Sequence, residues 1–203
     1  MKTKILASAI FTMLIISACT STHLTSSWKE PGKVVNIEKL NKVLVVALFK
    51  NETNRREAED EMANYLQGKG IASYNYLNDS FDPKNADALR DKIRAAGFDG
   101  AVTMRLIDVD KEKVYTPGNT SYPIYNRNFS GYYSRNWPSY STPGYYSTTK
   151  IFTVETNIYS IKEDKIIWTG LTKTTDPEGV DKMMKEIVKV VYNKMLKEGF
   201  ITR

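Results

Sequence analysis

Apolar and polar positions alternate along this chain in several rhythms, and each rhythm predicts a different element. Ile5 to Ile16 is almost continuously apolar, follows Lys2 and Lys4, and closes on the small residues Ser17 and Ala18 before Cys19. That is the layout of a cleavable export leader, and it is short of the about 20 apolar residues that a bilayer span needs. No later segment is apolar enough to span. Residues 20 to about 41 are mostly polar, with Leu24 and Trp28 as isolated apolar positions, and they predict a tether docked through Trp28. Lys42 to Phe49 is a β-branched apolar run, the pattern of a strand covered on both faces.

Beyond it the rhythm becomes helical. Asn54 with Glu57 three residues on predicts a capping box, and Ala58, Met62, Tyr65, Leu66 and Lys69 then share a face that stops at Gly68 and Gly70. Ile71 to Asn75 predicts a second strand. A helix beginning near Asp82-Pro83 or Asn85 would bury Ala86, Leu89, Ile93 and Ala96 and end at Gly97. Gly100 to Asp108 predicts a third strand, and residues 111–147 a long irregular insertion. Thr149–Ile161 and Lys165–Thr174 alternate around Lys162-Glu163-Asp164, as the arms of a hairpin do.

The last helix is predicted to open at Asp176 as N-cap with Pro177 in its first turn, and to close at Gly199. Its broad apolar face runs from Val180 to Leu196. No repeat of solenoid period is present. The expected fold is therefore α/β: a mixed five-stranded sheet in the order β-α-β-α-β, long insertion, β-hairpin and C-terminal helix, with helices packed on it. The expected organisation is a leader over 1–18, a tether and docking segment over 19–41, and one α/β domain over 42–203.

Composition narrows the chemistry. Cys19 is the sole cysteine and His23 the sole histidine, and both precede the domain. Thiol and imidazole nucleophiles, Cys/His zinc sites and Ser-His-Asp triads are thereby excluded from it, leaving carboxylates, lysines and tyrosines. No metal and no cofactor are expected, and the absence of disulfides leaves the fold to packing alone. The formal charge is +6, and cleavage would remove the two leader lysines. So mild an excess suits anionic surfaces, and no nucleic-acid-binding signature accompanies it.

Residues 113–148 hold the strongest candidate for function: Tyr115, Tyr122, Tyr125, Tyr132, Tyr133, Tyr140, Tyr145 and Tyr146, with Phe129, Trp137, Lys113, Arg127 and Arg135, and no acid. Tyrosines among Gly, Ser and Asn make adaptable contact surfaces, and long insertions are functional or disordered. An envelope protein partner, a cell-wall glycan, lipid headgroups and plain cover for a sheet edge all fit this composition. A second candidate is Asn51, Asn54, Arg55 and Arg56 after the first strand, a place for an anion at a helix start or a solvated basic face paired with Glu57, Glu59 and Asp60. Asp108, Asp110 and Glu112 read as turn solvation, because the glycine turn and distant glutamate of a calcium loop are missing. A rival reading makes Asp108 and Glu155 the acids of a glycan-processing enzyme, which would need them to converge in a cleft.

Ile16-Ser17-Ala18-Cys19 resembles the lipobox of bacterial lipoproteins, whose cysteine is diacylated and becomes the first residue. More widely, Leu24-Thr-Ser-Ser-Trp28, Lys42 to Leu48, Arg55-Arg56, Gly97 to Val102, Glu155 to Tyr159 and Ile166-Ile-Trp168 resemble small bacterial outer-membrane lipoproteins of unknown function. The element order also resembles, more loosely, the periplasmic α/β domain of the Tol propeller protein and of lipoproteins that activate cell-wall synthases. The resemblance implies palmitate at Cys19, a membrane held through that anchor, residence on the periplasmic face of the outer membrane, and a non-catalytic binding or assembly role. Thr20 in place of an inner-membrane-retaining aspartate agrees with that location. The oligomeric state is left open.

Overall fold

The computed structural model describes residues 21–77, 86–116, 128–134 and 143–202. Its strands are β1 (Thr22–Lys29), β2 (Val35–Asn36), β3 (Val43–Leu48), β4 (Gly70–Ala72), β5 (Gly100–Thr116), β6 (Tyr145–Ser160), β7 (Lys165–Thr175) and β8 (Ile201–Thr202). Its helices are α1 (Glu52–Tyr65), α2 (Ser73–Tyr76), α3 (Ala86–Ala95), α4 (129–134) and α5 (Val180–Lys197). Six strands form one mixed sheet in the order β1-β7-β6-β5-β3-β4, and β2 and β8 make a small parallel pair. The pairings β3–β4 and β3–β5 are parallel, as expected of strands joined through helices, and the other pairings of the large sheet are antiparallel.

The α/β expectation is met, with one strand more than the five expected. The sixth is β1, drawn from the segment expected to be a tether. Its alternation places Thr22 and Leu24 inward: the Thr22 hydroxyl meets the Thr174 hydroxyl at 2.8 Å and donates to the Glu186 carboxylate at 2.8 Å, and Leu24 packs on the core. An edge strand with one wet face needs few apolar residues, so its polarity disguised it. Trp28 does not dock in the interior; it stands 47% exposed on the outer side of β1.

α1 and α5 cover one face of the sheet and enclose the main core, in which Val45, Met104, Val154, Trp168, Ile187, Val188 and Val191 are all fully buried. α3 covers part of the other face through Ile93 against Leu44, Phe98 and Ala101. Of its other expected core residues, Leu89 and Ala96 pack at the border of this cluster, while Ala86 is exposed at the helix start.

Several boundaries shift. α1 starts earlier than expected: Asn51 is the N-cap, its side chain accepting the Asn54 N–H at 3.0 Å. Ile71–Asn75 is only partly a strand, because at Ser73 the chain turns into α2 to meet Glu59. Asp176 does not cap α5. It sits at φ 41° and accepts the Lys150 N–H at 2.7 Å, so that α5 begins after Gly179. Finally, residues 111–116 and 145–147 are not irregular, since cross-strand pairing continues to Thr116↔Tyr145. A strand exposed on both faces lacks the apolar alternation from which its length could be read.

Candidate functional site

That extended pairing builds the most distinctive feature of the molecule. β3 leaves β5 at Arg105 and β7 leaves β6 at Ile151, yet β5 and β6 run on together through six further pairs, Lys111↔Lys150 to Thr116↔Tyr145. Among the described residues no further strand flanks these pairs, which form a two-stranded ribbon about 20 Å long at 3.4 Å per residue. It carries the Tyr-rich insertion at its tip.

Cross-strand partners share a face and neighbours alternate, so the register sorts the ribbon's charges. One face carries Lys111, Lys150, Lys113, Tyr115 and Tyr146, continuing the helix-covered side of the sheet past Phe152. The other carries Glu112, and Asp110 and Asp108 continue that side into the sheet below the ribbon, near Lys173. Lys111 and Lys150 are directly opposite, an arrangement that like charges disfavour, and neither ammonium has a carboxylate partner among the described residues. The Tyr115 and Tyr146 rings lie 5.0 Å apart between centroids, and Tyr145 and Tyr146 are among the most exposed aromatics.

Of the expected contact residues, the structure brings Tyr115, Tyr145 and Tyr146 together at the ribbon's end. Tyr132 and Tyr133 lie on α4, where Tyr133 stacks on Phe129 at 5.7 Å. Tyr122, Tyr125, Arg127, Arg135, Trp137 and Tyr140, like Cys19, lie outside the described residues.

The second candidate is mostly self-contained. Arg55 and Arg56 both bond the same Glu52 oxygen, at 2.9 and 2.8 Å, and Arg56 also covers the Tyr74 ring at 4.7 Å. The hydrogen bond from Arg56 is the main reason that the Glu52 carboxyl titrates below its ordinary range. Arg55 Nε alone remains buried without a partner. Their acidic neighbours serve elsewhere: Asp60 accepts the Tyr74 hydroxyl at 2.6 Å, and Glu59 is fully buried. Glu155 is engaged by Arg105 at 3.1 Å on the open face of the sheet. Among the described residues no three His, Cys, Asp or Glu side chains converge as a metal site, and no helix is long and apolar enough to cross a membrane.

At the other end of the sheet, where β3 and β5 begin, lies a cavity of about 500 Å³ that sequence reading missed. Its apolar walls come from α1, α5, the sheet and the segment between β1 and β3, including Met62, Leu66, Val102, Val188, Val191 and Met195. Thr156 lines it, fully buried, with a hydroxyl that has no hydrogen-bond partner. A threonine in the inward row between Val154 and Ile158 was the one sequence signal available.

The acids at the cavity's mouth are already occupied. Asp99 accepts the Asn41 N–H, and Glu163 is paired with Lys33 and Lys165, which hold its carboxyl below the ordinary range. Lys39 and Lys162 line the same mouth, and neither has a side-chain partner among the described residues.

No family model matches the chain, and no curated protein matches it. Among solved structures it is similar to the PelC dodecamer from Paraburkholderia phytofirmans, at 11% identity over 90% of this chain and 99% of that one, with a TM-score of 0.45. It is also similar to the lipoprotein GNA1162 from Neisseria meningitidis, at 10% identity over 77% of this chain and 98% of that one, with a TM-score of 0.39.

Proposed function

We propose that the protein is a non-catalytic binding module of the bacterial cell envelope, acylated at Cys19, held on the periplasmic face of the outer membrane, and working through its ribbon and aromatic tip. The observation that carries this reading is where the chain enters the fold. Ser21 accepts the Thr175 N–H at 3.0 Å, and the next residue, Asp176, donates to the Lys150 carbonyl at 2.8 Å. An anchor at Cys19 would therefore join the domain at the base of the ribbon.

Cys19 can stand no more than about 7 Å from Ser21 at full extension, whereas the ribbon is about 20 Å long. A bilayer holding that cysteine would lie within the ribbon's reach. Charge selects the face: Lys111, Lys113 and Lys150 with Tyr115 and Tyr146 meet anionic headgroups, while Asp108, Asp110 and Glu112 and the tip are left for an envelope protein. The engagement of Glu155 by Arg105 favours this reading over a carboxylate enzyme.

Photo-crosslinkers placed at Tyr146 and Glu112 of the full chain in intact cells test it. Lipid adducts at the first and a protein adduct at the second are expected, the latter lost on deleting 117–142. Adducts unchanged by that deletion, or labelled palmitate absent from the native chain, would overturn the reading.

A further inference from the structure

We infer that the cavity between the sheet and helices α1 and α5 is a binding site for an anionic amphiphile with a single apolar chain. This site stands at the end of the sheet opposite the anchor and does not depend on the ribbon reading.

Three independent features converge on that ligand class. First, the cavity of about 500 Å³ has the size of a small-molecule pocket and a mostly apolar lining. Apolar surface left facing water is unfavourable in proportion to its area, so an apolar chain is the occupant its walls favour. Apolar surface outweighs polar surface along its lining, which favours such a chain over a glycan ring covered in hydroxyls.

Second, Thr156 lines this space, is fully buried, and has a hydroxyl with no hydrogen-bond partner. Buried polar groups are normally satisfied, and an oxygen on the ligand, or a water carried in with it, completes this one.

Third, the mouth is electrostatically biased. Glu163 is ion-paired with Lys33 and Lys165, while Asp99 accepts the Asn41 N–H and is the one further acid among the described residues of the lining. Lys39 and Lys162 remain available, and a carboxylate or phosphate head would meet them there. The protein's own acyl chains are poor candidates, because β1 spans eight residues from the anchor end to the cavity end, about 26 Å of extended chain.

The test uses the mature lipidated chain in nanodiscs, a diazirine-bearing palmitate as probe, and peptide mapping of the adducts. Adducts on α1 around Met62–Leu66 and on α5 around Val188–Met195 are expected, competed by palmitate at least several-fold better than by hexadecanol. The exposed double substitution Lys39→Glu with Lys162→Glu should cut labelling several-fold while the melting temperature stays unchanged. Val191→Phe, which fills the cavity, should abolish labelling. Adducts confined to the ribbon, equal competition by hexadecanol, or labelling indifferent to the lysine reversals would each overturn the assignment. Because these readouts need no protein partner, they can fail while the ribbon reading stands, and the reverse.

Discussion

Glu59 and Ser73 meet at 2.7 Å in the interior, the hydroxyl donating to a carboxylate that has no exposed surface. The same carboxylate accepts the Ala47 N–H at 2.9 Å and the Tyr74 N–H at 3.2 Å. One side chain of α1 therefore fixes the end of β3 and the β4–α2 corner together. Glu59→Ala leaves these donors without a partner and should cost on the order of 3 kcal/mol, with Glu59→Gln costing less because it retains an acceptor. Urea unfolding followed by tryptophan fluorescence checks both.

Glu198 closes the other end of α5. Burial opposes its ionisation, but hydrogen bonds from Trp168 at 3.0 Å, Ser27 at 2.8 Å and Lys194 at 3.0 Å outweigh it, and its carboxyl titrates below the ordinary range. A lowered folded-state pKa adds stability above the unfolded value of about 4.3 and loses it as pH falls toward the folded value. Melting temperature should therefore drop on acidification below about pH 4.3, and Glu198→Gln should flatten that drop. Thermal melts across pH 2 to 7 measure it.

Gly170 lies against the buried Trp168 ring, and a Cβ there would stand 2.3 Å from the nearest ring carbon. That ring, with no exposed surface, has nowhere to retreat. Gly170→Ala should destabilise by about 1–3 kcal/mol as overpacking does, visible as a lower urea midpoint with an unchanged slope.

Lys150→Glu converts the Lys111↔Lys150 pair from repulsive to attractive. A gain of about 0.2–1 kcal/mol in local pairing is expected, read as slower amide exchange at residues 111–116. Binding of the lipidated protein's ribbon to vesicles rich in phosphatidylglycerol should weaken in the same variant.

Thr156→Val removes the unpartnered hydroxyl at nearly constant volume. Ligand-free protein should gain roughly 1 kcal/mol, as measured by calorimetry after delipidation. A loss of stability would mean that the hydroxyl is satisfied in solution.

Much of this architecture was legible in local pattern. The β-branched run at 43–48, the 3.6-residue stripe of α5, the hairpin around 162–164 and the glycine stop at Gly97, with φ 77°, are each set by neighbours in sequence. The leader-like run before Cys19, the single cysteine and the single histidine are likewise properties of sequence alone. Tertiary structure decided what pairing across distance controls: that the polar stretch from Thr22 becomes an edge strand, and that residues 111–116 find partners at 145–150. Their alternating charges became two opposed faces only when that register was set. The burial of Glu59 and the cavity beside Thr156 belong to the same class. Periodicity reports which side of an element faces inward, but what stands opposite, and whether it fills the space, is fixed by contacts between segments far apart in the chain.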